Sequence, residues 1–282
     1  LKLTGVEKCL FPGTLEEAAE ILEHEGDNAA VVGGGLGIIT ARESAPGTLI
    51  FLEKIPLKYI KKEQNHLKVG ARTSLSEFMN SPVLEKYLSG KVRSAMEGIS
   101  THLIRNQITL GGAVAGRAPY SDIVTLLMAL RAKVVLRGQA GQKILSIDEY
   151  YGDFQDIRRQ YIIEEIQLPE YEGDFAFAME RFTRNATDIT LLNMAVLVKI
   201  EIGKVEEASV TVGSRPEPAY RFPEGEEFLK GKALSEDLAR LFEDFVREKV
   251  DVRGDFRISE DYRRHVSGVF ARRIVESLGG AS

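Results

Sequence analysis

One residue of the 282 is cysteine, none is tryptophan and four are histidine. A lone Cys9 excludes an intramolecular disulfide, a CxxC motif and a cysteine-ligated iron–sulfur cluster within this chain. A reducing, cytoplasmic location is expected. His24, His66, His102 and His265 show no metal-ligand spacing. No Ser-His-Asp set or catalytic carboxylate pair can be argued, so neither a catalytic residue nor a metal site is expected. No apolar run approaches the ~20 residues of a membrane span. The opening Leu1-Lys2-Leu3-Thr4-Gly5 lacks the apolar core of a signal peptide. A strong excess of either charge is missing too. With 37 Lys and Arg against 42 Asp and Glu, the net charge is −5, without the basic excess that broad nucleic-acid binding needs.

Glycine, by contrast, is clustered. Val31-Val32-Gly33-Gly34-Gly35-Leu36-Gly37-Ile38 forms one turn, and Arg105-Asn106-Gln107-Ile108-Thr109-Leu110-Gly111-Gly112-Ala113 another. A backbone without Cβ atoms can approach an anion closely and aim several N–H groups at it. Two such turns point to a diphosphate held from both sides. The first turn has neither the G-x-G-x-x-G register nor the Gly-Lys-Ser/Thr of a Walker A loop. A simple turn between strand and helix is its plainer reading. In the second, Thr109 offers a hydroxyl, and Gly111 and Gly112 offer consecutive amides. Asp122 opens the next apolar segment. It can cap a helix or accept from a ligand's hydroxyls, and spacing alone favours the cap.

The chain falls into three parts. Thr14 and Glu17 predict a capping box before a helix with Leu15, Ala18, Ala19 and Leu22 on one face. Strands at 29–32 and 48–52 complete a βαβ-like unit ending near Pro56. The second part has a hairpin at 59–63 and 67–71, a capping box at Ser74 and Glu77, and a helix over 92–99. Next come an apolar helix over 122–130, capped by Ser121 or Asp122, and strands at 133–136 and 161–168. After the linker Pro169-Glu170-Tyr171-Glu172-Gly173-Asp174, segments 175–181, 194–202 and 205–212 predict a three-stranded antiparallel sheet turning at Gly203-Lys204. Helices are predicted over 224–230, 235–250 and 259–278. Arg263-Arg264 and Arg272-Arg273 share one face of the last helix, either as a solvated face or as an edge for partners.

Several ordered motifs together resemble the flavin-binding subunit of molybdenum hydroxylases, the family of the carbon monoxide dehydrogenase medium subunit and the central domain of xanthine dehydrogenase. Ile104-Arg105-Asn106-Gln107-Ile108-Thr109-Leu110-Gly111-Gly112, then Ala118-Pro119-Tyr120-Ser121-Asp122, resembles I-R-N-x-x-T-I-G-G-N and small-Pro-x-x-Asp. The first turn resembles the family's A-G-G-x-S/T loop. Arg181 to Ile189 resembles K-x-x-R-x-x-x-D-I/F. Gly213 with Pro216 to Arg221 loosely resembles G-x-x-x-x-P-x-R. Asp255 to Arg264 resembles D-x-R-A-S-x-x-Y-R. The chain departs from the pattern at Ala113, where Asn is usual, at Leu36, where a polar residue is common, and at Ile108, where Gly is common.

The resemblance implies an α+β flavoprotein: a two-lobed FAD-binding clamp of the PCMH type over 1–56 and 57–170, and a C-terminal domain over 174–282 with a small antiparallel sheet and a helical bundle. It implies FAD contacts at Val32, Gly33, Gly34, Gly35, Leu36, Gly37, Ile99, Thr109, Leu110, Gly111, Gly112, Ala113, Asp122 and Ile163. Amides of the glycines, with Thr109, would solvate the diphosphate, and Ile99 and Ile163 would be apolar contacts to the rings. It further implies an electron-transfer subunit of a molybdenum hydroxylase complex. Molybdopterin would lie on a large partner subunit, two [2Fe–2S] clusters on a small one, and NAD or another acceptor would take the electrons. Two alternatives stay open: a stand-alone FAD oxidase or reductase, and a flavin-free assembly subunit.

Overall fold

The computed structural model describes residues 5–40, 46–214 and 216–280, so the opening Leu1-Lys2-Leu3-Thr4 lies outside the described residues. Two compact units divide the chain: Leu1–Ser81, Thr101–Gly116 and Ala132–Pro169 in the first, and Pro82–Ser100, Arg117–Arg131 and Glu170–Ser282 in the second.

The first unit carries two sheets. Strands β1 (Lys8–Leu10), β2 (Ala29–Val32) and β3 (Thr48–Phe51) pair in parallel in the order β1-β3-β2. Parallel strands need a crossover, and helix Leu15–Glu25 carries the chain from β1 to β2 on the far side of β3. Thr14 Oγ1 accepts from the Glu17 N–H at 3.1 Å. Glu17 reaches back past the cap and accepts from the Gly13 N–H at 2.7 Å. Leu15, Ala18, Ala19 and Leu22 bury against Ile50, Leu52, Ile55 and Leu57, and against Ile162 of the second sheet. Each fully buried Leu or Ile there is worth about 1.5–3 kcal/mol.

That second sheet is antiparallel, with β4 (Ile60–Glu63), β5 (His66–Gly70), β6 (Lys133–Gly138), β7 (Gly141–Ser146) and β8 (Ile162–Pro169) in the order β4-β5-β8-β6-β7. Strand β7 is absent from the sequence expectation. Its Gln142, Lys143 and Ile144 are all exposed, so it lacks the alternation that betrays a half-buried strand.

In the second unit the expected three-stranded sheet has four strands. Strands β9 (Phe175–Phe182), β10 (Leu192–Glu201), β11 (Lys204–Ser214) and β12 (Glu217–Arg221) pair antiparallel in the order β12-β11-β10-β9. Pro218 hides β12 from a sequence reading but is tolerated on an edge strand. The β10–β11 turn is Ile202-Gly203, one residue earlier than expected, and both are left-handed at φ 50° and 71°. Leu192, Met194, Val196 and Val198, with Val210 and Val212, pack on helices Glu236–Lys249 and Glu260–Gly279. Residues of the opposite face, Asn193, Ala195 and Leu197, are buried as well, on the side where helix Asp122–Ala129 lies. A sheet covered on both faces explains the unbroken apolar run of β10.

Of the two arginine pairs of the last helix, Arg263 turns inward and the other three reach the surface in part. Arg263 has 0% exposure and meets Asp255 at 2.8 Å, Ser214 Oγ at 2.9 Å and the Leu191 carbonyl at 3.2 Å. Arg264 pairs with Glu260 at 3.1 Å and donates to the Val250 carbonyl at 2.8 Å. Arg272 meets Glu243 at 3.3 Å, and Arg273 meets Glu180 at 3.8 Å. The solvated-face reading is therefore corrected at Arg263, while Arg264 and Arg272 are half-buried and Arg273 is exposed. The helix uses these charges to fasten itself to its own unit.

Candidate cofactor-binding site

The two glycine turns meet inside the first unit. Strand β2 ends at Val32, whose carbonyl accepts from the Leu52 N–H at 3.2 Å. The chain then bends through Gly33, Gly34 and Gly35 into helix Leu36–Thr40. Gly35 takes φ 81°, a value that favours glycine. Gly33 lies so close to Thr109 that an added Cβ would stand 2.8 Å from its Oγ1. A Cβ on Gly34 would fall 1.8 Å from the Gln107 carbonyl oxygen. Only glycine allows this approach.

The second turn opens helix Leu110–Ala115. Thr109 is its N-cap, and its Oγ1 accepts from the Gly112 N–H at 3.2 Å. Leu110 donates to the Thr73 carbonyl at 3.0 Å, Gly111 to the Ala71 carbonyl at 3.0 Å, and Ala113 to the Thr109 carbonyl at 2.8 Å. The amides of Gly111 and Gly112 are thus engaged within the protein, which corrects the expectation that they solvate a diphosphate. Gly111 serves packing: its Cβ would lie 2.6 Å from the Ala71 Cβ. Among the described residues the amides of Gly33, Gly34 and Gly35 donate to no other group. Three adjacent N–H groups next to the N-cap Thr109 suit an anion. Val32 and Leu110 are buried and contribute backbone, Ala113 is half-buried and Gly37 exposed. Ile163, on β8 opposite Leu136, is buried.

Ile99 and Asp122 belong to the second unit. Ile99 is buried just beyond helix Lys91–Met96, and its N–H donates to the Met96 carbonyl. Ser121, not Asp122, caps helix Asp122–Ala129, its hydroxyl accepting from the Val124 N–H at 3.3 Å. Asp122 is freed for other partners. It accepts from the Asn193 side-chain amide at 2.6 Å and the Thr190 hydroxyl at 2.7 Å, and Arg181 lies 3.3 Å away. Burial pushes its carboxyl above the usual range, and the opposing pull of Arg181, Asn193 and Thr190 does not cancel this. Arg181 also donates to the Gly98 carbonyl and to Thr190. Thr125 donates to Asn193 at 2.8 Å, and Gly213 leaves room for both, since its Cβ would lie 2.1 Å from the Asn193 side-chain oxygen.

Asn193, Thr190 and Thr125 escaped the sequence reading because their chemistry arises from partners about 70 residues apart, with no local pattern. The Asp188 carboxyl of the same family segment is held low by its hydrogen bond from Arg184, against a smaller effect of burial. Among the described residues no group of three or more His, Cys, Asp or Glu could hold a metal ion.

Small sheets, glycine turns that touch, and a separate sheet-and-helix unit define an α+β fold of the PCMH flavoprotein class. Residues 4–171 match the family model described as the FAD binding domain in molybdopterin dehydrogenase, and residues 177–278 match that of the CO dehydrogenase flavoprotein C-terminal domain. The chain belongs to this family of FAD-binding oxidoreductase subunits. It is similar to the glyceraldehyde dehydrogenase medium chain of Sulfolobus acidocaldarius, 26% identical over 94% of this chain and 95% of that one. It is also similar to the carbon monoxide dehydrogenase medium chain of Hydrogenophaga pseudoflava, 25% identical over 94% of each. A solved structure of carbon monoxide dehydrogenase from Hydrogenophaga pseudoflava matches with TM-score 0.90 at 24% identity, covering 98% of both chains. Quinoline 2-oxidoreductase from Pseudomonas putida 86 matches with TM-score 0.88 at 21% identity, covering 100% of this chain and 99% of that one. At these identities the structural likeness speaks for the fold.

Proposed function

We propose that this chain is the electron relay of a molybdenum hydroxylase complex. It would receive electrons from [2Fe–2S] clusters on a small partner subunit and pass them to NAD or another terminal acceptor. A large molybdopterin-binding subunit would oxidise the substrate. Bound FAD would supply the redox chemistry, and the protein supplies position and electrostatics. The observation that carries the reading is the contact of the two glycine turns, with amides at Gly33, Gly34 and Gly35 beside Thr109 that donate to no other group among the described residues.

In this reading those three amides and the Thr109 hydroxyl hold the diphosphate, each bond to a charged group being worth about 1.5–3 kcal/mol. Val32, Leu36, Gly37, Leu110, Gly111, Gly112 and Ala113 shape the walls through their backbones. Ile99 and Ile163 supply apolar contact. Asp122 has three donors around it. In this reading one of its two carboxyl oxygens would also accept from a ligand hydroxyl. The separate sheet within each stretch supports the division at 1–56, 57–170 and 174–282, although Pro82–Ser100 and Arg117–Arg131 of the middle stretch cluster with the last one. We place the complex in the cytoplasm.

The test is a reconstituted complex stripped of FAD. Substrate should still bleach the iron–sulfur absorbance, while reduction of the terminal acceptor stops and returns when FAD is restored. Undiminished acceptor reduction by the stripped complex would refute the relay.

A further inference from the structure

The glycines of the first turn meet different demands. Gly35 is glycine for its dihedral, φ 81°, and its Cβ would meet only Val32 at 3.9 Å. Gly33 has no such φ. Its Cβ would instead stand 2.8 Å from Thr109 Oγ1, while every other atom of Thr109 lies at 3.8 Å or beyond. Gly112, on the other turn, would place its Cβ 2.6 Å from that same oxygen. Thr109 is buried and β-branched, and it holds the Gly112 N–H at 3.2 Å. It cannot swing aside without releasing the cap of helix Leu110–Ala115. Gly34 faces a backbone carbonyl, that of Gln107, which the bridge between Ser74 and Thr109 and the bond from Leu75 to Ile108 help to fix.

We propose that Gly33 and Gly34 are positioning residues. Their missing side chains seat the first turn directly on Thr109 and Gln107, and this contact sets the spacing of the two turns around one diphosphate. The proposal rests on the FAD reading above. It makes the need for glycine at 33 conditional on the Thr109 hydroxyl. A residue needed only for its amide would behave otherwise, because alanine keeps the N–H.

The experiment uses the full chain as wild type, Gly33→Ala, Thr109→Ala and the double variant. FAD affinity is read by titration, and the apo melting midpoint is read alongside. Gly33→Ala should weaken FAD about tenfold, the scale of one lost cap. Thr109→Ala should weaken it too. The double variant should bind no worse than Thr109→Ala alone, because the clash has gone. Losses that multiply, or a Gly33→Ala protein that binds like wild type, would overturn the proposal while leaving the FAD reading standing. If Gly33→Ala does not fold, recovery of folded protein on adding Thr109→Ala supports the contact, and no recovery overturns it. Wild-type chain that takes up no FAD refutes the FAD reading, and the proposal falls with it.

Discussion

Arg263 and Asp255 lie eight residues apart in a motif, and their roles emerge only in the fold. The guanidinium is wholly buried, 2.8 Å from Asp255, and it also reaches Ser214 and the Leu191 carbonyl. Removing one member of a buried pair strands the other, at about 3–5 kcal/mol. Arg263→Met should therefore lower unfolding stability by that order in urea titration, and a loss below ~1 kcal/mol would contradict the assignment. Asp255 and Asp122 should show opposite pH signatures. Burial raises the Asp255 carboxyl, but the N–H groups of Arg257 and Ile258 and the Arg263 guanidinium outweigh this and hold it low. Its contribution is present above the ordinary carboxylate range and is lost as pH falls through the lowered value. Burial holds Asp122 high. Its contribution is present at low pH and is lost as pH rises through the raised value. Urea midpoints followed against pH should flatten on the acid side in Asp255→Asn and on the rising side in Asp122→Asn. Curves parallel to wild type would refute both assignments.

At the scale of elements, the sequence was readable where one local rule governed. The Ser74–Glu77 capping box forms with both arms, at 3.1 and 2.7 Å, because cap and periodicity agree there. It was unreadable where partners override local preference. Strand β7 has an exposed run, and β12 contains Pro218, so neither carries a strand signature. The β10–β11 turn places Ile202, a β-branched residue, at φ 50° with 97% exposure. The sequence reading puts the turn at Gly203-Lys204 instead. Left-handed backbone costs such a residue roughly 1–2 kcal/mol, and Asn-Gly is the preferred pair for this hairpin. Ile202→Asn should raise stability by roughly 1 kcal/mol in thermal or urea unfolding. An unchanged or lower midpoint would show that Ile202 is held by contacts of its own. The second turn teaches a related lesson. Its glycines announced a ligand, yet Gly111 serves Ala71 and Gly112 serves Thr109.

For the whole molecule, family membership was legible because motifs recur in order along the chain, from Gly33 through Asp122 and Arg181 to Arg263. Family models now cover 4–171 and 177–278. What the sequence could not give was the distribution of work within the site. Among the described residues the amides of Gly33, Gly34 and Gly35 on the first turn donate to no other group, while Gln107 and Thr109 of the second form the seat on which Gly33 and Gly34 lie. The absence of tryptophan gives a clean optical window, since protein emission comes from tyrosine alone. The most direct test of the central claim is the flavin content of the purified full chain after incubation with FAD and removal of excess. The account predicts a yellow protein carrying FAD in equimolar amount, lost on denaturation. A folded, colourless chain that retains no flavin would contradict it.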